Sequence, residues 1–85
     1  MNEFFEFFDE LQNTLQMHLS VTYSHICEWE INIWIKGGAE DYPDASHNES
    51  GDVIVSHVQD CDIKYAFAKA YVDLKEWLLD FTGGY

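Results

Sequence analysis

The chain has 85 residues, with sixteen Asp and Glu against four Lys and no Arg, and a formal net charge of −12. A surface this acidic repels nucleic acid and anionic membranes, both of which bind through neutralised phosphate, and it steers instead towards basic partners. At 47% hydrophobic and 16% aromatic residues, the chain has the material for one folded domain over residues 1–85, and disorder is excluded.

Residues 2 to 19 read as a first helix. Phe4, Phe8, Leu11, Leu15 and Leu19 step along one face at helical spacing, and Glu3, Glu6 and Asp9 suit the positive end of the helix dipole. The doubled Phe pairs of FFEFF are expected to serve the core on one side and a partner on the other. Residues 20 to 26, SVTYSHI, are β-prone and serve as a short strand or a linker. From Cys27 to Lys36 the alternation is clear. Trp29, Ile31, Ile33 and Ile35 point one way, and Glu28, Glu30, Asn32, Trp34 and Lys36 the other, as in a half-buried strand.

Gly37-Gly38 ends that strand, and a polar loop runs through Asp52. A loop so long in a small domain is either functional or mobile. Val53 to Val58 reads as a strand paired antiparallel with 27–36. The strongest signal is the last: in DCDIKYAFAKAYVDLKEWLLDF, Ile63, Phe67, Ala70, Leu74, Leu78 and Phe81 form one helical face. Asp60 or Asp62 caps its start and Thr82-Gly83-Gly84 ends it. Tyr65, Ala68, Val72 and Leu79 form a second apolar stripe, left for a neighbouring element or another chain. The expected fold class is α+β, a small antiparallel sheet of two or three strands flanked by an N-terminal and a C-terminal helix, ordered α-β-β-α or α-β-β-β-α.

No charged-then-apolar signal segment opens the chain, which is acidic from Glu3, and no unbroken apolar run approaches a membrane span. Two cysteines, Cys27 and Cys61, make no disulfide framework. A cytoplasmic location with reduced thiols is the expectation.

Catalytic and metal chemistry find little support. His25, Cys27, His57 and Cys61 are a ligand set for tetrahedral zinc, but their spacing is not that of a zinc finger or ribbon, and no metal is expected. Asp41, Asp44, Ser46, Asn48, Glu49 and Asp52 are oxygen ligands, yet no start point gives both the sixth-position glycine and the twelfth-position glutamate of a calcium loop. His47 or His57 with Cys27 or Cys61 lacks the local signature of an activated thiol. Gly37-Gly38 precedes an acidic loop rather than a helix and cradles no phosphate. Neither enzyme activity nor a cofactor is expected.

What remains is the surface. Glu28, Glu30, Glu40, Asp41, Asp44, Glu49 and Asp52 run from the outward strand face into the loop, with Trp34 and Tyr42 as aromatic anchors of the kind hot spots favour. Outward residues two apart on a strand lie about 6.6 Å apart, comparable to successive phosphates on one nucleic-acid strand. The same acidity also serves solubility alone.

In its layout of helix, small sheet, acidic loop and terminal helix, and in the segments DYPDASH and AFAKAYVDLKEWL, the chain resembles the small acidic inhibitors made by bacteriophages, anti-CRISPR proteins among them. The resemblance implies a target in host defence, a CRISPR effector or another nucleic-acid-binding defence protein, met in the bacterial cytoplasm through its basic surface and without direct contact to nucleic acid or membrane. Two other readings compete. One is a homodimeric structural or adaptor protein pairing through Tyr65, Val72, Leu79 and Phe7. The other is a sponge for a small signalling molecule lined by Tyr23, Trp29 and Trp34, where an anionic nucleotide would find no arginine.

Overall fold

The computed structural model describes residues 2–12, 15–26 and 28–84. In chain order these form α1 (Asn2–Leu11), β1 (His18–Ser24), β2 (Glu28–Ile35), β3 (Val53–Asp60) and α2 (Ile63–Phe81). The three strands make one antiparallel sheet in the order β1-β2-β3. The layout is therefore the α-β-β-β-α form of the expected α+β class.

The first helix is shorter than its apolar stepping predicts. It stops at Leu11, and Gln12 closes its end: the side-chain amide donates to Phe8 O at 3.3 Å and its oxygen accepts from Met17 N at 3.1 Å. Leu15 and Met17 still reach the core, but from the segment before β1 rather than from the helix, and Leu19 lies in β1 opposite Ile33. Residues 20–26, left between strand and linker by their sequence, contribute most of β1.

α2 organises the rest. Asp62 accepts from Lys64 N at 2.9 Å and Tyr65 N at 3.4 Å, a cap worth roughly 1 kcal/mol. At the other end Thr82 and Gly84 return N–H groups to Leu78 O, and Gly83 takes the left-handed φ of 83° that frees the chain from the helix. Phe67, Ala70, Leu74 and Leu78 are buried as the periodicity requires, and Ala66 and Trp77 join them. The two alanines are fully buried and let the helix axis approach the sheet closely. Against them lie Ile31 and Ile33 of β2 and Val53, Val55 and Val58 of β3. Each large aliphatic side chain buried here contributes roughly 1.5–3 kcal/mol.

α2 packs on β2 and β3, while α1 packs on α2. Phe4, the one buried residue of α1, meets Phe67 at 5.3 Å and Tyr71 at 6.0 Å between ring centroids. Phe5 is 45% exposed, and its ring also packs against Phe67, at 5.3 Å. Phe7 is half-buried against Tyr71 at 5.3 Å, with Lys75 Nζ 4.1 Å from the centre of the Tyr71 ring. It thus belongs to the seam between the helices rather than to a spare stripe.

The register of β2 against β3 shifts between Ile33, which faces Ser56, and Trp34, which faces Ile54. Val55 is the extra residue, a β-bulge, and both Val55 and Ser56 turn inward.

The long loop is held in place. Gly37 N donates to Asp52 Oδ1 at 2.9 Å, Ala39 N to Gly51 O at 3.0 Å and Ile54 N to Ser46 O at 2.9 Å. Asn48 Oδ1 accepts from both Ser50 N and Asp52 N. Ala45 is buried, and Tyr42 packs edge-on against Trp77 at 5.1 Å. No helix among the described residues is long and apolar enough to cross a membrane.

Candidate functional site

Because side chains alternate along a strand, burying Ile31 and Ile33 under α2 sends Glu28, Glu30, Asn32 and Trp34 to the opposite face. On β1 their neighbours are Ser24, Thr22, Ser20 and His18 in turn. On β3 they are Gln59 beside Glu30, His57 beside Asn32 and Ile54 beside Trp34. Among the described residues no helix lies over this face, and His18, Thr22, Ile54, His57 and Gln59 are exposed on it.

The face has two unlike ends, six residues apart along β2 or about 20 Å. At one end Glu30 accepts from Gln59 Nε2 at 2.9 Å and from Asn32 Nδ2 at 2.8 Å. His57 Nδ1 in turn faces Asn32 Oδ1. The hydrogen bonds from Gln59 and then Asn32 hold the Glu30 carboxyl below the ordinary glutamate value, because both donors favour its charged form. The network therefore aims a carboxylate outward and keeps it ionised.

Beside it, Glu28 follows the turn out of β1 with a φ of 57°. This left-handed conformation costs a residue with a Cβ about 1–2 kcal/mol and is usually left to glycine. Glu28 and then Asp60 push the thiol of exposed Cys61 upward. A thiol kept protonated is a poorer nucleophile.

At the other end the Trp34 indole stacks on His18 with centroids 5.4 Å apart and planes 17° apart. An open groove of roughly 460 Å³ runs beside it, lined by Ser20, Asn32, Asn48, Ile54 and His57 with Asp52 at the rim.

The acidic row expected from strand into loop is thus not continuous. Glu28 and Glu30 share the outer face two residues apart on β2, and Trp34 and Asp52 line the same groove. Glu40, Asp41 and Asp44 are exposed on the loop that leaves the far end of β2, and Glu49 is exposed on the Asn48–Gly51 turn. Tyr42, expected as a partner anchor, turns inward on Trp77 and Phe81 and pins the loop to α2.

Of the zinc quartet, His57 is engaged with Asn32, His25 lies at the edge of Tyr23 at 6.2 Å, and Cys27 lies outside the described residues. Among the described residues no three His, Cys, Asp or Glu side chains converge as metal ligands. Of the pocket residues proposed for a small molecule, Tyr23 and Trp29 pack with tilted rings at 5.0 Å in the register of the inner face, and Trp34 lies on the outer one. His18, Ser20, Ile54 and Gln59 were not singled out from the sequence, and His57 and Asn48 were weighed only as metal or catalytic groups rather than as residues of this face. Comparison of the chain with protein-family models, curated proteins and solved structures returns no match.

Proposed function

We propose that the chain is a protein-binding inhibitor that lays its open sheet face on the basic, nucleic-acid-binding surface of a host defence protein, such as a CRISPR effector. The observation that carries this reading is Glu30, a carboxylate presented to solvent by a dedicated set of donors, Asn32 and Gln59, rather than left to swing freely. A pre-organised anion loses little freedom on meeting an arginine or lysine, and bidentate pairing with arginine rewards such a fixed geometry. Glu28 supports the same reading. Backbone strain of its kind gathers at functional positions, and here it holds a charged side chain next to Glu30. Trp34 and the groove beside it supply the apolar anchor at the other end, where the stem of a partner's arginine can stack. The formal charge of −12 steers the encounter.

The test is capture of the target from a CRISPR-bearing bacterial lysate by tagged chain, at low and at high salt. Binding is expected to weaken as salt screens the contact and to be abolished by Glu28→Lys with Glu30→Lys, while Asp41→Lys with Asp44→Lys leaves it largely intact. Capture that is indifferent both to salt and to the Glu28/Glu30 reversal would overturn the reading.

A further inference from the structure

We infer that α2 pairs antiparallel with α2 of a second copy of this chain, about a two-fold axis at Val72. Tyr65, Val72 and Leu79 are 57%, 53% and 55% exposed. They recur every seven residues, the spacing that keeps a seam facing one partner helix along its length. Exposed Ala68 beside them permits close approach. In the antiparallel arrangement Val72 meets its own copy, and Tyr65 of each chain meets Leu79 of the other, so the apolar seam is self-complementary as a two-fold interface must be.

Charge selects this occupant. Lys69 lies three residues before Val72 and Glu76 four after it, on the same flank of the stripe. The two-fold axis therefore sets Lys69 of one chain against Glu76 of the other, twice over. The ends of the helix give a second, independent indication. α2 has no acid in its first turn and no base in its last; two of its three cations, Lys64 and Lys69, lie in the amino half, and Lys75 lies in the carboxyl half among Asp73, Glu76 and Asp80. That order opposes the macrodipole of a lone helix. Beside an antiparallel copy each end faces the opposite pole and the opposite charge. A helix that carries three of the four lysines in a chain of net charge −12 is also where two such chains repel least. Three apolar side chains and two ion pairs form a small contact, so association in the micromolar range is expected. α2 lies on the inner side of the sheet, and pairing through its outward stripe leaves both open sheet faces free. The inference stands whether or not those faces bind a defence protein.

Sedimentation velocity at high micromolar concentration and near-physiological salt tests it. The wild-type chain is expected to dimerise and Val72→Glu to be monomeric. Lys69→Glu alone and Glu76→Lys alone each place like charges opposite and are expected to be largely monomeric. An equal mixture of these two variants restores both ion pairs and is expected to recover the dimer. All three positions are exposed, and circular dichroism verifies that the variants fold. A wild-type chain that stays monomeric, a dimer that survives Val72→Glu, or single variants that fail to associate when mixed would each overturn the inference.

Discussion

The Ser56 hydroxyl donates a 2.9 Å hydrogen bond to Asp73 Oδ2, joining β3 to the middle of α2. Ser56 is 4% exposed and is the one buried polar side chain among the described residues. It points at the helix only because the bulge at Val55 turns it there. A hydrogen bond to a charged group of this kind is worth roughly 1.5–3 kcal/mol. Ser56→Ala is expected to lower the urea unfolding free energy by about that amount, and Ser56→Thr, which keeps the hydroxyl, by less. An unchanged midpoint in Ser56→Ala would show that the contact carries no stability.

Tyr42 is expected to matter for folding rather than for binding. Its ring fills the space between the loop and the Trp77–Phe81 end of α2. Tyr42→Ala is expected to cost about 2 kcal/mol and to raise amide exchange across residues 38–52. The adjacent exposed change Asp41→Asn is expected to stay within about 0.5 kcal/mol.

Strain at Glu28 gives a prediction of opposite sign. Glycine accepts a φ of 57° without a Cβ clash. Glu28→Gly is therefore expected to stabilise the chain by roughly 0.5–1 kcal/mol in thermal melts, and to weaken target capture in the same preparation. A gain in stability with capture undiminished would make Glu28 a structural accident.

The Glu30 network predicts a direction with pH. Its carboxyl titrates below the ordinary glutamate value in the folded chain. Its contribution to stability is thus fully present above the unfolded value and is lost as pH falls through the folded one. Side-chain carbon NMR is expected to show the Glu30 carboxyl titrating below the ordinary glutamate value. Gln59→Ala is expected to move its titration upward by more than Asn32→Ala does.

For Cys61 the shift runs upward, from Glu28 first and Asp60 second. In a Cys27→Ser background, iodoacetamide is expected to alkylate Cys61 more slowly at neutral pH than it does a free thiol. Glu28→Gln is expected to speed the reaction, and a rate that ignores Glu28 would contradict the arrangement at this end of the sheet.

The elements legible in the sequence are those where one periodicity runs unopposed. α2 is 19 residues long with Asp62 and Gly83 at its limits, and β2 alternates without a break. The boundary between α1 and β1 was hidden because Leu11, Leu15 and Leu19 are four apart, a spacing that suits a helix turn and also two steps of a strand. Leu19, Val21 and Tyr23 in fact alternate with Ser20 and Thr22, and that signal marks β1. The β2 half of the outer face followed from its alternation. The β3 half did not, because plain alternation from Val53 would send His57 inward with Val55. Only the bulge, which leaves no mark in the residue types, carries Ser56 in and His57 out. Tyr42 was misplaced for a related reason: whether an aromatic in a polar loop anchors the loop or greets a partner is decided by the helix it folds back on.

The two sides of this small sheet differ in how much variation they can tolerate. Ile31, Ile33, Val53 and Val58 are locked to α2, so a change there threatens the whole molecule. Across the same strands, His18, Thr22, Ile54, His57 and Gln59 project into solvent and hold up little of it. A lineage of such chains could rewrite that half of the sheet residue by residue, while the other half went on folding as before.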